Sequence, residues 1–155
     1  MIDMEFFSKG QGATEYLVLL AVVLIVALVS IALLGFFPGL ATDAKITQST
    51  SYWKETRPIS IQEYVIPANG TATLVMQNVD ASGTYTITGI TLGGNGTSSL
   101  TTTFAPGETK TVGHLSSIAG TAGSIFDLNV TFNYSTPSGV TTTFYGAKNL
   151  VGKYS

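Results

Sequence analysis

The chain contains no cysteine, which excludes disulfides, thiolate metal ligands and cysteine nucleophiles. It has a single histidine, His114, so a multi-histidine metal site is excluded too. Charge is scarce: Lys, Arg, Asp and Glu make up 10% of the 155 residues and the net charge is −2, whereas about a quarter of an average protein is charged. With no basic surface, nucleic acid is not an expected partner. Ser and Thr fill the gap, giving an exterior that is polar but uncharged, which is unusual for a cytoplasmic enzyme. Asp80, Glu108 and Asp127 are too scattered to form a carboxylate pair, and His114 sits in a strand-like run, TKTVGHL, as an expected partly buried side chain. The cluster Gly93-Gly94-Asn95-Gly96 lacks the Lys and the following helix of a phosphate loop. Tyr and Phe of the second part fall mostly at core positions of strands. Neither an enzyme nor a cofactor or metal is expected.

What the chain does have is one long apolar run. Residues 16–37 read YLVLLAVVLIVALVSIALLGFF, 22 residues with no charge. At 1.5 Å per residue a helix over this run is about 33 Å long, the thickness of a bilayer's hydrocarbon core. It is apolar all round, so no amphipathic stripe is distinguishable. A cleaved secretory signal has an apolar region of about 7–15 residues, shorter than this one, although Gly39-Leu40-Ala41 offers a small-x-small site. A plain membrane anchor is the second reading. The third depends on the residues just before the run.

Those residues are Ser8-Lys9-Gly10-Gln11-Gly12-Ala13-Thr14-Glu15-Tyr16. Lys9-Gly10, then Gln11, then an acid four residues later at the lip of the apolar run, resembles the class III signal peptide of archaeal type IV pilins. The resemblance covers about nine residues and, with the apolar helix, the first third of the chain. It implies that a prepilin peptidase cuts between Gly10 and Gln11, making Gln11 the mature N-terminus and Glu15 the fifth mature residue. Archaellins, close cousins, usually carry Gly at the third mature position; Ala13 stands there, which favours a pilin. The leader departs from the usual pattern because Asp3 and Glu5 offset Lys9, weakening the cytoplasmic excess of positive charge. On this likeness residues 1–10 are a cleaved leader. Residues 11–57 are a helix that spans the membrane before assembly and forms the filament core afterwards. Residues 58–155 are an extracellular head.

A carboxylate beside so much hydrocarbon needs a partner. Cleavage creates one for Glu15, the new α-amino group of Gln11, on its own or a neighbouring subunit. The plainer reading leaves Glu15 in the headgroup region, where an acid suits a helix start. Pro38-Gly39 is ordinarily a helix stop. Beyond it Leu40, Ala41, Ala44, Gln48 and Tyr52 still fall near one helical face. The expectation is therefore a helix from about residue 12 to 53, loosened near Pro38, or two helices with a break. Arg57-Pro58 ends it in either case.

From residue 59 the period changes to two. Ile59, Ile61 and Val65 alternate with Ser60, Gln62 and Tyr64, and further runs lie at 71–79, 84–92, 98–104, 109–115, 125–134 and 140–145. At Gly89 the apolar phase slips, which predicts a β-bulge. Turn residues separate the runs, among them Pro67-Ala68-Asn69-Gly70, Pro106-Gly107 and Pro137-Ser138-Gly139. Residues 117–123 read as a loop and 149–155 as an edge strand. The expected class is α+β: a long N-terminal hydrophobic α-helix, then an all-β, immunoglobulin-like antiparallel β-sandwich head. This order matches archaeal rather than bacterial pilins, whose heads carry a disulfide-closed loop.

Four Asn-x-Ser/Thr sequons begin at Asn69, Asn95, Asn129 and Asn133. They matter only on the outer side of a membrane. Asn69 and Asn95 fall in predicted turns, where Asn-Gly is also ordinary hairpin chemistry; Asn129 and Asn133 fall on the polar face of one predicted strand. Two function classes follow. One is a subunit of an adhesion or surface filament, a homo-oligomer served by the prepilin peptidase and pilus assembly machinery. The other is a single-pass, membrane-tethered surface or binding protein that does not polymerise.

Overall fold

A helix propagates wherever each added residue adds a backbone hydrogen bond and no proline intervenes, and no proline occurs before Pro38. In the computed structural model, which describes residues 5–94 and 97–155 (side chains at 5–11, 36–38 and 97 excepted), Glu5–Glu55 form one helix, α1. It begins several residues before the expected start and passes through Gly10 and Gln11. It also passes through Pro38, so the two-helix alternative does not hold. Proline costs a helix one hydrogen bond, and apolar helices of membrane type tolerate that loss where the freed carbonyl is satisfied locally.

The chain divides into two units, the first ending at Asp43 and the second running Ala44–Ser155. In the first unit the apolar run is exposed along its whole described length: Leu17 is 62%, Val26 59% and Leu34 74% accessible. Among the described residues this is the helix long and apolar enough to cross a membrane.

The second unit opens with the last turns of α1 and continues, among the described residues, as nine strands. These are β1 (Ile59–Val65), β2 (Thr71–Asn78), β3 (Tyr85–Leu92), β4 (Thr97–Phe104), β5 (Thr109–Ser116), β6 (Ile125–Leu128), β7 (Val130–Ser135), β8 (Thr141–Tyr145) and β9 (Leu150–Lys153). All pairings are antiparallel. They build a three-stranded sheet β1-β2-β5, a four-stranded sheet β4-β3-β7-β8 and a pair β6-β9. One buried cluster draws Ile59, Leu74 and Val112 from the first sheet, Ile87, Phe104 and Phe132 from the second, Phe126 and Leu150 from the pair, and Trp53 from the helix.

The register of β3 shifts between Ile87 and Gly89 against both neighbours, the bulge predicted there. Three expectations need correction. β1 slips between Ile61 and Glu63, so Tyr64 turns toward the core and Val65 is left exposed; one extra residue exchanges the faces of everything after it. The predicted strand 125–134 is two strands: β6 pairs with β9, β7 with β3 and β8, and the chain changes sheet at Asn129. On the helix, Ala44 and Gln48 are exposed. The buried stripe is Ser49, Trp53 and Thr56, rotated so that the largest side chain, Trp53, enters the core.

Candidate functional site

Gly10 and Gln11, where the likeness to pilins places a cleavage, lie within the helical backbone of α1. Glu15 follows Gln11 by four residues, and positions four apart on a helix are neighbours about 5–6 Å apart. The helix thus sets Glu15 over the atom that cleavage would turn into an α-amino group. Glu15 is exposed and, with Thr14, Val18 and Leu19, borders a shallow, largely apolar groove.

Above this point fifteen large apolar side chains between Tyr16 and Leu34 are exposed. Burying such a side chain stabilises by about 1.5–3 kcal/mol, so the isolated helix forgoes on the order of 20–40 kcal/mol. Lipid or another apolar surface would supply that burial.

The helix end is fixed to the β unit by specific polar contacts. Ser49 Oγ donates to the Asn149 carbonyl at 2.8 Å and accepts from the Val151 N–H at 3.0 Å. The Ala147 N–H donates to Tyr52 Oη at 2.9 Å, and Thr50 Oγ1 on the helix lies 3.1 Å from Tyr64 Oη. Trp53 is fully buried, edge-on to Tyr52 and Phe144. The Lys45 ammonium pairs with Asp127, which also accepts from Asn149 Nδ2 at 2.7 Å. The Lys45 hydrogen bond, then that of Asn149, holds the Asp127 carboxyl below its ordinary 3.8. Sequence reasoning missed this seat, because Ser49 and β9 are about a hundred positions apart and neither carries a local signature.

The sequons occupy different settings. Asn69 is exposed in a turn and its Oδ1 accepts from the Thr71 N–H at 2.9 Å. Asn129 is exposed at the passage from β6 to β7, and its carbonyl accepts from the Gly93 N–H at 2.9 Å. Asn133 is half-buried on β7, its Oδ1 accepting from Thr143 Oγ1 at 2.7 Å. Asn129 and Asn133 therefore do not share one strand. Asn95 lies outside the described residues. His114, expected to be partly buried, is exposed with φ 58°. Gly113 and His114 together oppose Thr73 in a bulge of β5, which turns the imidazole out of the strand's face.

The outward face of the four-stranded sheet carries side chains of one kind. In one row Thr86 pairs with Thr103 at 3.0 Å and Ser135 with Thr141 at 3.2 Å. The next row holds Asn133 and Thr143, and the third sets Thr91 beside Thr131 and Tyr145. None is charged. Compared with protein-family models, curated proteins and solved structures, the chain has no match in any of the three.

Proposed function

We propose that this chain is the structural subunit of an archaeal type IV pilus, a surface and adhesion filament whose core is a bundle of the apolar helices. The observation that carries the reading is Lys9-Gly10-Gln11 standing one helical turn before Glu15, on an uninterrupted helix whose next twenty residues are apolar and exposed. A helix without a hydrophobic drive to leave lipid associates through packing and polar pairing. The α-amino group of Gln11 with the Glu15 carboxylate supplies one such pair, within a chain or between chains. The precursor then resides in the cytoplasmic membrane with residues 58–155 outside.

The head in this reading is an immunoglobulin-like sandwich. Support comes from the three- and four-stranded sheets, which contribute to a single buried cluster, as two facing layers do. Sugars on at least one of Asn69, Asn95, Asn129 and Asn133 complete an exterior with few charges. The peptidase and the assembly machinery are the transient partners.

A membrane-tethered protein that never polymerises has the same use for an exposed apolar helix but none for Gly10-Gln11. N-terminal sequencing of protein sheared from cells separates the two. The expected sequence begins at Gln11, and Gly10→Val abolishes both processing and filaments because a pocket shaped for glycine excludes a branched side chain. Sheared filaments that begin at Met1 would refute the pilin reading.

A further inference from the structure

A protein surface ordinarily mixes both signs of charge over about a quarter to a third of its residues. The outward face of β3, β7 and β8 breaks that rule with a continuous patch of hydroxyls and one carboxamide. Three strand spacings of about 4.8 Å, with β4 included, and two steps of about 6.7 Å along β7 make it roughly 14 Å on a side, room for a few sugar rings.

The chemistry of the patch restricts what can cover it. A hydroxyl pair such as Ser135 and Thr141 uses one donor and one acceptor on itself and leaves one donor and three lone pairs outward. An apolar partner would strand those groups unsatisfied. A charged partner would lose its hydration with no opposite charge to offset the loss, and a nucleic acid would find no cation. A neutral polyhydroxyl chain has matching donors and acceptors, and no charge to desolvate. Tyr145, at the outer strand of the same face and 74% exposed, adds a flat apolar ring of the kind on which the C–H face of a pyranose stacks.

We propose that this face is a binding surface for a neutral polysaccharide. Lateral bonds such as Thr143 Oγ1 to Asn133 Oδ1 fix the rotors beforehand, so little side-chain freedom is lost on binding. The surface is independent of polymerisation and serves a tethered protein equally.

The test uses the full chain from a host without N-glycosylation, held in phosphocholine micelles that carry no sugar headgroup. Amide NMR follows titration with maltohexaose, cellohexaose and, as the charged control, hexagalacturonate. Millimolar binding of a neutral hexasaccharide is expected, with shifts confined to β4, β3, β7 and β8 and much weaker binding of the acidic sugar. Tyr145→Ala and the isosteric Thr143→Val should each weaken binding about three- to tenfold, with spectra elsewhere unchanged. Absence of binding by both neutral sugars at millimolar concentration, shifts elsewhere, equal binding of the acidic sugar, or unaffected variants would each overturn the proposal. So would face shifts that follow protein concentration without sugar, since these mark a contact between copies.

Discussion

Gly146 is where the helix seat is tightest. A Cβ built there would lie 2.4 Å from Trp53 Cη2 and 2.6 Å from Cζ2, with the Val130 carbonyl at 3.1 Å. The Gly146 N–H is itself bonded to that carbonyl at 2.9 Å, so the backbone has little room to retreat, and Trp53 is fully buried. Gly146→Ala should therefore destabilise by about 1–3 kcal/mol through overpacking, lowering the melting temperature by about 4 °C per kcal/mol. Trp53→Phe removes the atoms that clash. Alone it loses roughly 2 kcal/mol of burial, but it also removes the indole Nε1–H, which is buried with no hydrogen-bond partner among the described residues and costs about 1–3 kcal/mol as it stands. The two terms nearly cancel. The double variant should then be more stable than the sum of the singles by at least about 1 kcal/mol. Thermal melts of the full chain in micelles, followed by circular dichroism of the strands, supply all four corners of the cycle. Strict additivity would refute the claim that the indole is what excludes a side chain at 146.

Val26→Lys, in the middle of the exposed run, should cost about 3 kcal/mol per subunit at a dry position and abolish filaments; normal filaments, seen by electron microscopy, would show that the run is not the packed core. Asp127 is held below 3.8 by Lys45 and Asn149, so its contribution to stability is complete above the unfolded-state value and disappears as the pH falls through the lower folded-state value. Asp127→Asn should lower stability at neutral pH and leave it little changed at acid pH, which flattens part of the acid limb in urea titrations; Asp80 and Glu108, lowered by Tyr85 and by the Ala105 N–H respectively, retain the rest. Peptide mass spectrometry of native protein should find a glycan on at least one sequon, Asn129 ahead of Asn133, whose carboxamide is engaged by Thr143; four unmodified asparagines would refute the glycan claim.

The elements most legible in the sequence were those with a local period. The apolar run, the alternation from residue 59 onward and the slip at Gly89 each state their structure within ten or twenty residues. The break at Asn129 was illegible for a physical reason. Phe126 and Leu128 before it and Val130 and Phe132 after it are all buried in one core, so alternation continues while hydrogen-bond partners change. Periodicity reports which way a side chain faces, not which sheet it belongs to. The bulge at Gln62 carries no glycine, the residue that usually marks such positions; the one at Gly113-His114 does, and there the buried Val112 and Leu115 stand three positions apart, a slip of phase like that at Gly89. Of the candidate site, Gly10, Gln11 and Glu15 could be singled out because the likeness that points to them rests on a short local motif. The seat of Ser49 and Trp53 was not, because its other half lies in β9 and Gly146.

That seat has a consequence for how the protein is made. Ser49 bonds the carbonyl of Asn149, 100 residues later, and β9 is the strand that receives it. At about 5–20 residues per second, a ribosome delivers the anchor roughly 5–20 s after the helix end has emerged. Through that interval Ser49 lacks its partners Asn149 and Val151, and the β unit lacks the strand that pairs with β6. A chain interrupted before residue 150 would carry a complete apolar helix whose end lacks its Ser49 bonds. Seating of the helix end therefore has to wait until the last strand has been made.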